Sequence, residues 1–177
     1  LPEMFPKKII NERKKRFKNL IKTSHIILLS SYDALNDFKK FDLENMHKVK
    51  VLNFVCQPDS KYDNFDEISK KDLLEKYDIK DRYYYIPNQF WKHKNHMLVF
   101  KAINEFKKQN INFNVVCSGY LKDNRNKKYY SDVKNYLTQN NLTDNIKLLG
   151  LIDYQDVFAL IKFSEAVINP SLFEGWS

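Results

Sequence analysis

The residues best equipped for chemistry fall into two clusters. The segment Pro87-Asn-Gln-Phe-Trp-Lys-His-Lys-Asn-His96 gathers Lys92, Lys94, His93 and His96 just ahead of an apolar, helix-like stretch. Ammonium groups beside the open N–H groups of a helix start suit a phosphate or another anion. As a metal site the loop is poor, because no Cys, Asp or Glu adjoins the two histidines. The second cluster closes the chain, where Ala166-Val-Ile168 runs into Asn169-Pro-Ser-Leu-Phe-Glu-Gly-Trp-Ser177. A strand ending in an acidic, Gly-bearing loop offers its carboxylate, here Glu174, to a ligand at the carboxyl edge of an α/β sheet.

The elements around these clusters alternate. Residues 6–22 read as a helix with Pro6 in its first turn and an apolar stripe of Ile10, Phe17 and Ile21. His25–Leu29 reads as a strand, Ser31 as the cap of a helix through Phe41, and Val49–Val55 as a second strand. The polar run from Gln57 to Phe65, with Pro58, Asp59 and Ser60, is the expected linker. A helix over 69–78 follows, with Ser69 as cap and Asp72 closing a capping box. Strands are then expected at Tyr83–Ile86, Phe113–Cys117, Ile146–Leu149 and Ala166–Ile168. Between them lie helices at 95–108 (inward face Leu98, Val99, Ala102, Ile103 and Phe106), near 128–140, and at 154–163 (inward face Val157, Phe158 and Ile161). Four such βα steps point to a Rossmann-like parallel sheet. Neither an initiator Met nor a signal-peptide pattern opens the chain, and no helix follows the last strand. Both ends therefore read as internal to a longer protein.

Composition narrows the class. With 177 residues, 43% hydrophobic and 15% aromatic, the chain can bury a core. It has no apolar run of the roughly 20 residues a bilayer span needs. Cys56 and Cys117, isolated from each other, point to a reducing, cytoplasmic setting and against a disulfide framework. A net charge of +8 admits an anionic substrate, a membrane surface or nucleic acid. Its lysines are mostly scattered over polar helix faces, so charge alone selects none of these. The three glycines allow no G-x-G-x-x-G and no G-x-x-x-x-G-K, which argues against ordinary dinucleotide-binding and P-loop domains. Yet Gly119, Gly150 and Gly175 each follow an expected strand, as glycines lining a ligand crevice would.

Taken together, PNQFWKHKNH (87–96), IKLLGLI (146–152), DVFALI (156–161) and NPSLFEGWS (169–177) resemble family 4 glycosyltransferases of the GT-B fold, with LLSSYDALNDF (28–38) matching further upstream. The resemblance covers essentially the whole chain. It implies an α/β fold of Rossmann-like parallel sheets, incomplete at both ends: 1–56 as the last part of the acceptor-side domain, and 57–177 as the hinge and first part of the donor domain. The implied activity is transfer of a sugar from a nucleoside-diphosphate sugar to an acceptor hydroxyl with retention at the anomeric carbon, in glycan or polysaccharide biosynthesis. The implied partners are that donor and a glycan or lipid-linked acceptor. No cofactor, metal or nucleic acid is implied, and a peripheral contact at the inner membrane face is open.

In the family a Gly-Arg…Lys-Gly loop binds the donor diphosphate, and Asn88, Gln89, Lys94 and Asn95 occupy those places here. Lys94 is thus the implied phosphate cation. Gln89 replaces the Arg and cannot supply a bidentate charge, with Lys92 as a nearby compensation. Glu174 matches the first carboxylate of a paired-Glu motif and is implied to hold donor-sugar hydroxyls. Gly175, Trp176 and Ser177 match the helix start that faces the diphosphate. Gly150 and Leu151 match the backbone along the base, and Gly119 ends the strand beside the donor. The implied chain is inactive alone. Competing readings are a basic nucleic-acid-binding protein that stacks bases on Phe90, Trp91 and Tyr83–Tyr85, another GT-B sugar-nucleotide enzyme such as an epimerase or an inverting transferase, and a non-catalytic remnant.

Overall fold

The computed structural model describes residues 5–55 and 68–174. The expected linker at 57–65 and Cys56 lie outside the described residues. The chain divides into two compact units, Leu1–Gln57 with Phe173–Ser177, and Pro58–Leu172.

The first unit runs α1 (Lys7–Thr23), β1 (Ile27–Leu29), α2 (Tyr32–Phe41), a 3₁₀ turn at Met46–Lys48 and β2 (Val49–Val51). Parallel strands need a crossover, and α2 lies in the one that joins β1 to β2, pairing Ile27 with Val49 and Leu29 with Val51. Ser31 starts α2 from extended backbone, its hydroxyl accepting the Ala34 N–H at 3.0 Å. The second strand is shorter than its sequence pattern. β1 ends at Leu29 because Ser31 must leave the ladder to cap α2, so among the described residues the β1–β2 register stops at Val51. The expected stripe of α1 is buried only at Ile21, while Phe17 stays 55% exposed. Two strands of three residues offer too little apolar surface to cover a helix of 17.

The second unit runs α3 (Lys70–Tyr77), β3 (Tyr84–Ile86), a 3₁₀ turn at Lys92–Lys94, α4 (His96–Lys108), β4 (Val115–Ser118), α5 (Tyr129–Gln139), β5 (Ile146–Gly150), α6 (Tyr154–Phe163) and β6 (Ala166–Val167). All strands are parallel, in the order β5-β4-β3-β6. Alternation along each strand sorts the core into two layers. Ile86, Val115 and Cys117 pack with Phe100 and Ile103 of α4 and Val133 and Leu137 of α5. Tyr83, Tyr85 and Val116 pack with Leu73 of α3 and Ala159 and Leu160 of α6. A sheet buried on both faces explains why Val115–Ser118 is buried at every position. Ser69 caps α3 as expected, accepting the Asp72 N–H.

Two helices are rotated from their sequence reading. α4 turns His96, Phe100 and Ile103 inward and leaves Leu98 57% exposed. His96 donates to a fixed backbone oxygen of the preceding loop and thereby sets the phase. α6 buries Asp156, Ala159 and Leu160 and leaves Ile161 exposed. Here Asp156 accepts from Lys76 at 2.7 Å and from the Tyr77 hydroxyl, which draws that face onto α3. An apolar-rich helix has several inward phases of similar hydrophobicity, and a single polar bond selects one.

Candidate functional site

The strand order locates the site. From β3 the chain steps outward through β4 and β5, then returns across the sheet to place β6 on the other side of β3. Loops leaving β3 and β6 at their carboxyl ends therefore diverge from a topological switch point, where open α/β sheets form ligand crevices.

Three hydrogen bonds join those two loops. The Leu172 N–H donates to His93 O at 2.8 Å, Asn95 Nδ2 to Pro170 O at 3.1 Å, and Asn88 Nδ2 to Asn169 Oδ1 at 3.2 Å. Asn95 reaches Pro170 from a left-handed backbone at φ 57°, a conformation asparagine tolerates better than most residues. Within the β3 loop lie Gln89 and Lys92, both exposed, and Lys94, half-buried.

The glycines make this edge compact. Gly119 has φ +133°, and a Cβ there would lie 2.7 Å from Asn88 O and 2.8 Å from Gln89 N. Only glycine lets the β4 end approach the β3 loop so closely. The Gly119 N–H donates to Gly150 O at 2.7 Å, linking the ends of β4 and β5. Leu151, just beyond, is 71% exposed.

His96, counted from sequence among the loop's basic groups, is instead fully buried. Its ring stacks on Phe90 at 4.2 Å, and Nε2–H donates to Asn88 O at 3.2 Å. Burial, only partly opposed by that bond, lowers its pKa to about 4, so the ring is neutral. It is an anchor for the loop rather than a cation in it. Phe90, Tyr83 and Tyr85 are likewise fully buried, which removes most of the aromatic surface that base stacking would use.

Asp123 and Arg125, in the loop after β4, were not anticipated. Asp123 is buried, and its carboxylate accepts from Lys92 N at 3.1 Å, from Arg125 N at 2.9 Å and from Arg125 Nε at 3.2 Å. Burial would raise its pKa, but these bonds from the Arg125 amide, the Lys92 amide and the guanidinium outweigh it and hold the carboxyl below its usual range. The Arg125 guanidinium lies 4.8 Å from the Trp91 ring. An Asp two residues before an Arg in a polar stretch was the available signal, although its partner on Lys92 is 31 residues away.

Of the residues singled out from sequence, Gln89, Lys92, Lys94, Gly119, Gly150 and Leu151 gather at this carboxyl edge. Glu174 is half-buried and falls in the segment grouped with the first unit. Gly175, Trp176 and Ser177 lie outside the described residues. Among the described residues no cluster of three or more His, Cys, Asp or Glu side chains could hold a metal ion.

The family model for glycosyl transferases group 1 matches residues 68–177. The chain belongs to this family. No curated protein matches it with significance. Among solved structures it is similar to a glycosyltransferase from Rickettsia africae ESF-5, with a TM-score of 0.65 at 18% identity over 95% of this chain and 42% of that one. It is also similar to HepE from Anabaena in complex with UDP and glucose, with a TM-score of 0.71 at 12% identity over 94% of this chain and 42% of that one. A third neighbour is WaaG, a glycosyltransferase involved in lipopolysaccharide biosynthesis, with a TM-score of 0.61 at 16% identity over 84% of this chain and 38% of that one. At these identities the likeness is one of fold, the α/β arrangement of GT-B glycosyltransferases. This group 1 glycosyl transferase chain spans 42% of the length of the first two.

Proposed function

We propose that the protein containing this chain transfers a sugar from a nucleoside-diphosphate donor to an acceptor hydroxyl, with retention at the anomeric carbon. The crevice between the loops after β3 and β6 holds the donor. The observation that carries this reading is the tie between the two loops at the switch point, with Lys94 between two of its anchors, His93 and Asn95.

The division of labour follows from the chemistry. As the glycosidic bond to phosphate breaks, the sugar gains oxocarbenium character and the departing diphosphate gains negative charge. Lys94 stabilises that charge, a contribution that often dominates catalysis. Lys92 and Gln89 contact the same diphosphate. Glu174 orients the sugar through its hydroxyls. Gly119 keeps the sheet edge open beside the donor, and the Gly150–Leu151 backbone lies along the base. Residues 1–56 belong to the acceptor-side domain and 57–177 to the hinge and donor domain.

The acceptor is a glycan or a lipid-linked sugar, and the enzyme works at the inner membrane face. The support is α1, where Lys7, Lys14 and Lys18 together with Lys8, Lys15 and Lys22 recur at helical spacings and form one basic face. Among the described residues no helix is long and apolar enough to cross a membrane.

In the protein containing this chain, Lys94→Ala is expected to reduce kcat by about 100-fold, the scale of one lost transition-state cation or donor, with the thermal unfolding temperature unchanged. Wild-type turnover together with wild-type donor affinity would remove Lys94 from the mechanism.

A further inference from the structure

The loop after β3 carries Lys92 and Lys94, and no guanidinium lies between Pro87 and His96. We infer that Arg125 supplies a guanidinium for the donor diphosphate, brought in from the loop after β4. This rests on the donor-site reading above and deepens it.

The geometry fixes the guanidinium beside the donor loop. Its Nε is fixed on Asp123 Oδ1 at 3.2 Å, and its own backbone N–H meets the same oxygen at 2.9 Å. The other oxygen, Oδ2, accepts the Lys92 N–H at 3.1 Å, so one buried carboxylate positions both Arg125 and the backbone of the donor loop. Trp91, next to Lys92, lies 4.8 Å from the guanidinium carbon and gives it a flat support. Gly119, six positions earlier on the same connection, presses that loop against Asn88 and Gln89. Arg125 is therefore held beside Trp91 and Lys92 of the donor loop, while its side chain stays 41% exposed.

Here the carboxylate side chain is 3% exposed and the guanidinium remains at the surface. A planar fork also suits a diphosphate better than an ammonium does.

The test is binding of inorganic pyrophosphate to the protein containing this chain, followed by titration calorimetry, with wild type, Arg125→Ala, Lys94→Ala, Gln89→Arg and the double variant Gln89→Arg/Arg125→Ala. Arg125→Ala is expected to weaken pyrophosphate at least tenfold, and Gln89→Arg in that background is expected to restore most of the loss. Gln89→Arg alone is expected to raise wild-type affinity far less than it raises that of Arg125→Ala; equal gains in both backgrounds would overturn the role of Arg125. Arg125→Lys keeps a cation on Asp123 and is expected to fold like wild type while binding several-fold more weakly. Wild-type affinity in Arg125→Ala alongside lost affinity in Lys94→Ala would overturn the role of Arg125 and leave the donor site standing. Should Arg125→Ala not fold, wild-type affinity in Arg125→Lys would overturn the fork. Failure of the wild-type protein containing this chain to bind pyrophosphate, UDP or GDP would overturn the donor-site reading and this inference with it.

Discussion

A single methyl group added at Gly119 would collide with the donor loop. Its φ of +133° is nearly closed to other residues, and the new Cβ would sit 2.7 Å from Asn88 O. Gly119→Ala is expected to cost at least about 2 kcal/mol in urea unfolding and to weaken pyrophosphate binding by displacing Asn88–Gln89. Gly119 was legible in the sequence because a rare glycine after an apolar strand has few other reasons to be there. Lys94 was singled out by its place in the PNQFWKHKNH segment, and the structure puts it in the turn that follows β3. Asp123 was not, since its meaning comes from the N–H of Lys92 in a distant loop. His96 was misread for a similar reason. Loop composition marks it as a basic surface group, and only the stacked Phe90 ring shows that it faces the core.

At the scale of elements, α4 is tied to the loop before it by one neutral imidazole. The His96 pKa falls from 6.5 to about 4 on burial, so the unfolded chain binds the proton more tightly than the folded one. The neutral ring therefore adds no penalty above pH 6.5, and stability is lost as pH falls from 6.5 toward about 4. The loss approaches about 3 kcal/mol at the acid end. His96→Gln removes this titration, so its unfolding free energy is expected to vary less with pH than that of wild type across that window. Equal slopes would show that His96 is not buried neutral. On the opposite layer, Asp156 joins α6 to Lys76 and Tyr77 of α3. Burial first, then the bond to Asp156, raises the Tyr77 pKa to about 12. Asp156→Ala is expected to cost about 2 kcal/mol by urea unfolding, since Lys76 is half-exposed and can turn to water or Asp153. Strand and helix order was readable from periodicity. The phases of α4 and α6 were not, because these polar bonds, rather than the apolar pattern, set the rotation.

At the scale of the molecule, charge is concentrated as well as abundant. The chain carries a net +8, and α1 sets six of its lysines on one face with Glu12 as its one carboxylate. A surface of this kind contributes about 1 kcal/mol per Lys at an anionic bilayer and is screened by salt. The protein is expected to sediment with vesicles containing phosphatidylglycerol at low ionic strength, and not with neutral phosphatidylcholine vesicles. Replacing Lys14, Lys15, Lys18 and Lys22 by Gln is expected to abolish the sedimentation; persistence would place membrane contact elsewhere. Composition alone left nucleic acid, membrane and anionic substrate equally open. The family match and the burial of Tyr83, Tyr85 and Phe90 weigh against the first.

The most direct test of the donor site is to map backbone amide chemical shifts of the protein containing this chain during titration with UDP and with GDP. The expected result is perturbation clustered at Asn88–Asn95, Gly119 and Gly150–Leu151, at the carboxyl edge of the four-stranded sheet. Perturbation confined to the opposite edge, at Asp78–Lys80 and Asp144–Lys147, or no perturbation with either nucleotide, would contradict it.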